Sequence, residues 1–198
     1  CKRCVSGAAN APAHVARAPV AADGTPEVHC DYAFFGDKPG DVENTVTVLV
    51  CKDRLSSGIS ADVVPKKGVG GGYAVKQYLR DIKKFGYHHK VVIRSDGEPA
   101  IVDLLNRVSA LRPSETVLEN SPVGDSKANG RAERAVQAIE KQTRVLKLAV
   151  EKDLGEFSVR HPCFPWLVMH GADCLTKFHA GADGATAYEK IKGRAYSG

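Results

Sequence analysis

The chain has 198 residues, 43% of them apolar and 26% charged, with a formal net charge of +5. That length suits one domain with a real hydrophobic core and room for a short appendage. The composition argues against a disordered tail, a collagen-like chain or a coiled coil, and no window approaches the ~18 consecutive apolar residues of a membrane helix. The chain opens Cys1-Lys2-Arg3-Cys4, without the apolar stretch of a signal peptide and without an initiator Met. It reads as a soluble domain cut from a longer protein.

In chain order, residues 5–24 are rich in Ala, Pro and Gly without periodicity and read as a loose arm. From Thr25 the pattern changes. Val28, Cys30, Tyr32 and Phe34 alternate with Glu27, His29, Asp31 and Ala33, the signature of a strand. Asn44–Cys51 is β-branched and apolar, as an interior strand is, and Ser57–Val64 forms a third strand ending at Pro65. Gly68-Val69-Gly70-Gly71-Gly72 then opens a helix over Tyr73–Phe85, with Val75, Leu79 and Ile82 on one face. Val91–Ile93 is a short buried strand, Pro99–Ala110 a helix and Thr116–Leu118 a fifth strand. Residues 121–130 are turn formers throughout. A long helix over Ala128–Lys152 follows, its stripe Ala132, Ala135, Ile139, Leu146 and Val150 interrupted by Thr143. A last helix covers Phe164–Phe178, with Trp166 expected in the core. The order predicts an α/β fold: a mixed five-stranded sheet with helices on both faces.

The cysteines are Cys1, Cys4, Cys30, Cys51, Cys163 and Cys174. They are too sparse for a disulfide scaffold, so the last four are expected to be buried intracellular thiols. Cys1 and Cys4 make a C-x-x-C, half of a common zinc spacing, but zinc wants four ligands and only His14 lies nearby. The charge is uneven. Residues 121–150 carry six Lys/Arg against three Asp/Glu, which fits an anionic partner and equally a solvated helix face. Gly68–Gly72 lacks the full G-x-G-x-x-G fingerprint and reads as a loop before a helix, near DNA if DNA is the partner. His88, His89, His161, His170 and His179 show no ligand spacing and read as surface or packing residues.

Three carboxylates stand out by position. Asp31 lies within the first strand, on the face opposite Val28, Cys30 and Tyr32, and Asp96 sits just past the fourth strand. Crevices beyond strand ends are where α/β sheets place ligands. Glu133 falls in the first turns of the long helix. If the first and fourth strands are neighbours, the three converge, and hard divalent cations are the usual relief for their mutual repulsion. Taken singly, each acid is as well explained as a turn residue or a helix cap.

Three motifs surround these acids: His29-Cys30-Asp31, Val91-Val92-Ile93-Arg94-Ser95-Asp96-Gly97-Glu98 and Asn129-Gly130-Arg131-Ala132-Glu133-Arg134. In order and spacing, with 36 residues between Asp96 and Glu133, they resemble the catalytic core of retroviral and LTR-retrotransposon integrases. The Asn-Gly-x-x-Glu-Arg motif is most similar to retrotransposon versions. The resemblance covers residues 25–150 best. It implies an N-terminal arm over 1–24 carrying the end of a zinc-binding module, a catalytic core over 25–180 and a C-terminal extension over 181–198. Asp183–Glu189, followed by Lys192-Gly193-Arg194, loosely resembles the segment that closes retrotransposon cores.

The resemblance further implies a ribonuclease H-like sheet, 3′-end processing and DNA strand transfer, with Asp31, Asp96 and Glu133 as catalytic residues holding two Mg2+ or Mn2+ ions. The ions, ~3.5–4 Å apart, would activate the attacking oxygen and stabilise the leaving one. No covalent enzyme intermediate is expected. Lys127, Asn129, Arg131, Arg134, Lys141, Arg144 and Lys147 are the expected contacts to DNA backbone. Zn2+ at Cys1 and Cys4 is expected only together with an upstream His-bearing module. A homodimer or tetramer, no membrane, and a nuclear location, with virus-like particles beforehand, complete the implied picture. Two other readings compete with it: a non-catalytic nucleic-acid-binding or structural domain derived from an integrase, and a ribonuclease H or cut-and-paste transposase.

Overall fold

The alternation read from Glu27 onward becomes β1 (Glu27–Gly36), and the β-branched run after it becomes β2 (Thr45–Asp53). The computed structural model describes residues 24–37, 44–120 and 130–197. β3 (Ile59–Val64), β4 (Val91–Ser95) and β5 (Thr116–Asn120) complete a five-stranded sheet in the order β3-β2-β1-β4-β5. β1 pairs antiparallel with β2, and β2 with β3. β1 pairs parallel with β4, and β4 with β5. The sheet is therefore mixed, as expected.

Helices cover both faces. On one side lie α1 (Tyr73–Lys84) and α2 (Pro99–Leu111), entered through the 3-10 turn Gly70–Gly72 and through Pro99 respectively. Val75, Tyr78 and Ile82 of α1, with Ile101, Leu104 and Leu105 of α2, pack on Val28, Cys30 and Ile93. On the other side lie α3 (Gly130–Leu154) and α4 (Phe164–Phe178). There Ala135, Ile139, Leu167 and Val168 pack on Ala33, Phe35, Val48 and Val50. Even-numbered residues of β1 thus serve one core and odd-numbered residues the other. A short α5 (Ala187–Lys192) is started by a capping box between Thr186 and Glu189. Residues of the expected C-terminal extension are packed on the domain: Ala187 is buried and Ile191 reaches the core on the α1 side.

Several sequence expectations need correction. Thr143 belongs to the buried stripe of α3, and its Oγ1 has no hydrogen-bond partner there. Trp166 is 58% exposed, because Phe164, Leu167, Val168, Gly171 and Ala172 already form the inward face of α4. Its ring stacks on His170 one turn later, at 5.0 Å between centroids. Cys30 and Cys51 are buried, but Cys163 is exposed and Cys174 only half-buried. The residues that alternate with the apolar ones in β1 include the buried Glu27 and His29, on the face that α3 covers. Cys1, Cys4, Lys127 and Asn129 lie outside the described residues.

Candidate functional site

The parallel ladder between β1 and β4 runs Glu27↔Val92, Val28↔Ile93, His29↔Arg94. Asp31 stands two residues past the last pair on β1, and Asp96 is the first residue past β4, so the two acids lie toward the same end of adjacent parallel strands. Both carboxylates bear on the thiol of Cys30, the residue before Asp31; burial first, and then these charges, push its pKa up to about 12. Asp31 is half-buried on the sheet face that α3 covers, and its Oδ1 accepts the backbone N–H of Tyr32 at 2.7 Å.

Asp96 is exposed and follows β4 directly. Gly97 takes φ +79°, a left-handed turn that a side chain would strain. The turn lets Asp96 Oδ1 accept the N–H of Glu98 at 3.0 Å, one residue before α2 begins. Glu98 in turn receives Lys67 Nζ at 2.7 Å on both oxygens. Lys67 also stands over the rings of Tyr32 and Phe34, 5.5 and 4.9 Å from their centroids. Gly68 N–H donates to Tyr32 Oη at 3.0 Å. The glycine-bearing segment before α1 therefore borders the acids. Lys67, Glu98 and the exposed Phe34 were missed in the sequence because nothing local distinguishes them; only the neighbouring strands bring them here.

Glu133 is exposed in the first turn of α3, the helix whose Ala135 and Ile139 pack on the face that carries Asp31. As the side chains stand, no three His, Cys, Asp or Glu among the described residues are grouped closely enough to hold a metal ion. The structure thus sets Asp31 and Asp96 toward the same end of neighbouring strands and Glu133 on the covering helix, without closing the three into one cluster. Asp31 and Asp96 are hard oxygen donors of the kind Mg2+ or Mn2+ prefers.

Beneath this site lies a buried ionic network. Glu27 Oε2 accepts Arg54 Nη1 at 2.6 Å, and Oε1 meets His29 Nε2 at 2.5 Å. Arg94 Nε stands 3.3 Å from Oε1, within reach of its charge but unaligned for a hydrogen bond. Burial raises the pKa of Glu27, but the Arg54 hydrogen bond and the charges of His29 and Arg94 outweigh it, and the net shift is downward. Burial pushes His29 below the ordinary imidazole value against the pull of Glu27. Arg131 adds a repulsive charge to both His29 and Lys52, which sets it over the start of β1 and the end of β2.

Of the other expected DNA contacts, Arg134 and Arg144 are exposed, and Arg131 and Lys141 half-buried. Arg144 pairs with Glu140 at 2.9 Å. Lys147 is held at 3.2 Å from Asp37 and 2.7 Å from Glu151, so its charge is already answered within the fold.

The chain matches no protein-family model and no curated protein sequence. Solved structures do match it. A chain of the simian T-cell lymphotropic virus intasome in complex with the PP2A regulatory subunit B56 gamma is 13% identical, with a TM-score of 0.62 over 87% of this chain. The bovine immunodeficiency virus (BIV) integrase catalytic core is 16% identical, with a TM-score of 0.53 over 83% of this chain and 92% of its own. The HTLV-2 integrase catalytic core in complex with magnesium is 15% identical, with a TM-score of 0.57 over 83% of this chain and 94% of its own. The fold is that of a retroviral integrase catalytic core. This integrase-like domain spans 56% of the length of the intasome chain it matches.

Proposed function

We propose that the chain is a DNA polynucleotidyl transferase of the integrase type, carrying out divalent-metal-dependent 3′-end processing and strand transfer. One observation supports the reading: β1 pairs in parallel with β4, so Asp31 and Asp96 lie toward the same end of adjacent strands, and the helix that bears Glu133 packs on the Asp31 face. The magnesium in the HTLV-2 core structure supports the choice of cation. Asp31, Asp96 and Glu133 would hold Mg2+ or Mn2+, and the two ions when bound supply activation of the attacking oxygen and stabilisation of the leaving one.

The rest falls to the chain's own residues. Asp31 is held by the Tyr32 N–H and Asp96 by the Glu98 N–H, which fixes both oxygens before substrate arrives. Arg131, Arg134, Lys141 and Arg144, with Lys127 and Asn129 before the helix, would meet DNA phosphates. No side-chain nucleophile is needed, since water and then a DNA 3′-hydroxyl attack. Two DNA ends require at least a dimer, and the HTLV-2 core in dimeric and trimeric forms fits that. The action on target DNA sets a nuclear site of work, with virus-like particles beforehand. Zinc at Cys1 and Cys4 would need ligands from an upstream module.

Glu133→Gln is the test. It keeps the shape and removes the charge, so metal-dependent cleavage and strand transfer of a short DNA end should collapse, while thermal stability without metal stays level or rises slightly. Glu140→Gln on the same helix should leave cleavage far less affected. Near-wild-type activity of Glu133→Gln with Mg2+ would refute the assignment. If the unaltered chain binds DNA but cleaves none with Mg2+ or Mn2+, the non-catalytic reading replaces this one. DNA affinity should fall steeply with salt and differ little between unrelated duplexes; a titration showing salt-insensitive binding would count against backbone contact.

A further inference from the structure

A second concavity lies away from Asp96, between α3, the β2–β3 turn and the segment that joins α4 to α5. Its volume is about 650 Å³, within the range of small-molecule sites. Its floor is apolar: Ile59, Ala135, Ala138, Val145, Leu175 and Ala187. Its rim is cationic: Lys52, Arg131, Arg134, Lys141 and Lys190. Among the described lining residues the one carboxylate is Asp53. That group is fully buried and already committed, with Oδ2 accepting both the N–H and the hydroxyl of Ser56 and Oδ1 the Tyr87 hydroxyl at 2.6 Å.

The cations are poorly answered. Lys190 has Asp183 at 2.9 Å, and Lys52 donates to the Ser57 carbonyl at 2.6 Å. Among the described residues, no carboxylate lies within ion-pair distance of Arg131, Arg134 or Lys141. Burial, and then the charges of Arg131 and Lys190, push Lys52 down to about 8 in spite of Asp53. Like charges drawn together over an apolar floor gain from an anion in the same way that clustered carboxylates gain from a cation.

We infer that this concavity is a binding site for a small amphipathic anion, an apolar body seated on the Ala135–Ala138 floor with one anionic head among Lys52, Arg131 and Lys190. A bare phosphate would use the rim and leave the floor wet. A neutral apolar molecule would leave the cations unanswered. An occupant would touch Arg131 and Arg134, which flank Glu133, so the site is coupled to the acids through the first turn of α3. The binding claim stands whether or not the chain is a transferase, because its test involves neither DNA chemistry nor metal.

The probe is 8-anilinonaphthalene-1-sulfonate, titrated into the whole chain at moderate salt and followed by fluorescence. Saturation at one molecule per chain is expected. Lys52→Met should weaken it by about tenfold, the worth of one hydrogen bond to a charged group. Ala138→Phe should abolish it by filling the floor, with near-ultraviolet circular dichroism confirming that each variant keeps its fold. N-phenyl-1-naphthylamine, the same rings without the sulfonate, should bind far more weakly. Equal binding by all three proteins, or equal binding of the neutral probe, would overturn the inference. Displacement of the probe by inorganic phosphate as readily as by an aryl carboxylate would also overturn it, assigning the rim to phosphate alone.

Discussion

Replacing Glu27 with Gln tests whether the ionic network under the acids holds the fold. The Glu27 side chain is 4% exposed and meets Arg54 at 2.6 Å, His29 at 2.5 Å and Arg94 at 3.3 Å. Gln fits the same space but leaves Arg54, itself 11% exposed, without its counter-charge. Removing one partner of a buried pair costs about 3–5 kcal/mol. The lower end applies here, because Arg94 keeps Glu119 at 2.8 Å and is 39% exposed. A loss of about 3 kcal/mol corresponds to a fall of about 6–12 °C in Tm for a domain of this size. Urea unfolding measures it, with Glu140→Gln as the control: that pair is 50–55% exposed, and its loss should cost no more than about 0.5 kcal/mol. The pH dependence gives a second check. A carboxyl whose folded pKa is lowered contributes its stability above its unfolded value and loses it as pH falls toward the folded one. The gap between wild type and Glu27→Gln should therefore narrow below the ordinary carboxylate range. A loss under about 1 kcal/mol at neutral pH, or a gap that stays constant into acid, would refute the reasoning.

Two further outcomes follow from buried groups. Burial and the neighbouring Asp62 push Asp81 well above the carboxylate range despite Arg80, so its charge opposes folding increasingly as pH rises from its unfolded value to its folded one; Asp81→Asn should match or exceed wild-type stability at pH 8 and lose that advantage in acid, as melts across pH will show. Burial holds Cys30 and Cys51 as protonated thiols, so iodoacetamide on the native chain should label Cys163 and leave those two untouched, and mass spectrometry that finds Cys30 alkylated without unfolding would contradict the packing.

The fold was legible wherever the apolar pattern had a clear period. Strand alternation at Val28–Phe34 and the 3–4 spacing of Val75, Leu79 and Ile82 gave the elements, and their order gave a sheet covered on both sides. Side chains whose fate depends on a distant element were misread. Thr143 looked like an interruption because a hydroxyl lowers local hydropathy, yet α4 passes over it at Gly171 and buries it. Trp166 looked like core because aromatic mass favours burial, yet five neighbours on α4 already fill that face. The burial of Glu27 and His29 had no local signal, since Arg54, which pairs with Glu27, lies 27 residues away. The places of the three candidate acids were legible: Asp31 inside a strand, Asp96 just past one and Glu133 at a helix start. Lys67 and Glu98 were not, because their ion pair closes over 31 residues.

The three acids differ in what places them. Asp31 is set by strand pairing, and a one-residue slip of β1 against β4 would turn every side chain of β1 to the wrong core. The β1 faces are filled by Cys30 and Tyr32 on one side and Ala33 and Phe35 on the other, so that slip is closed off by packing. Glu133 is set by the seating of α3 on the sheet and on α4, through Ala132, Ala135, Ile139 and Thr143. At the end of α3 that carries Glu133 the buried contacts are alanines, while Ile139 and Thr143 anchor the helix further along. Asp31 is thus fixed by the sheet, Asp96 by the turn that follows β4, and Glu133 by the seating of α3. Beside Glu133, Arg131 and Arg134 lie on the same turn and face a cavity that an anion would settle. The ladder supplies position to Asp31, and Arg131 and Arg134 put the cavity's cations on the turn of α3 that carries Glu133.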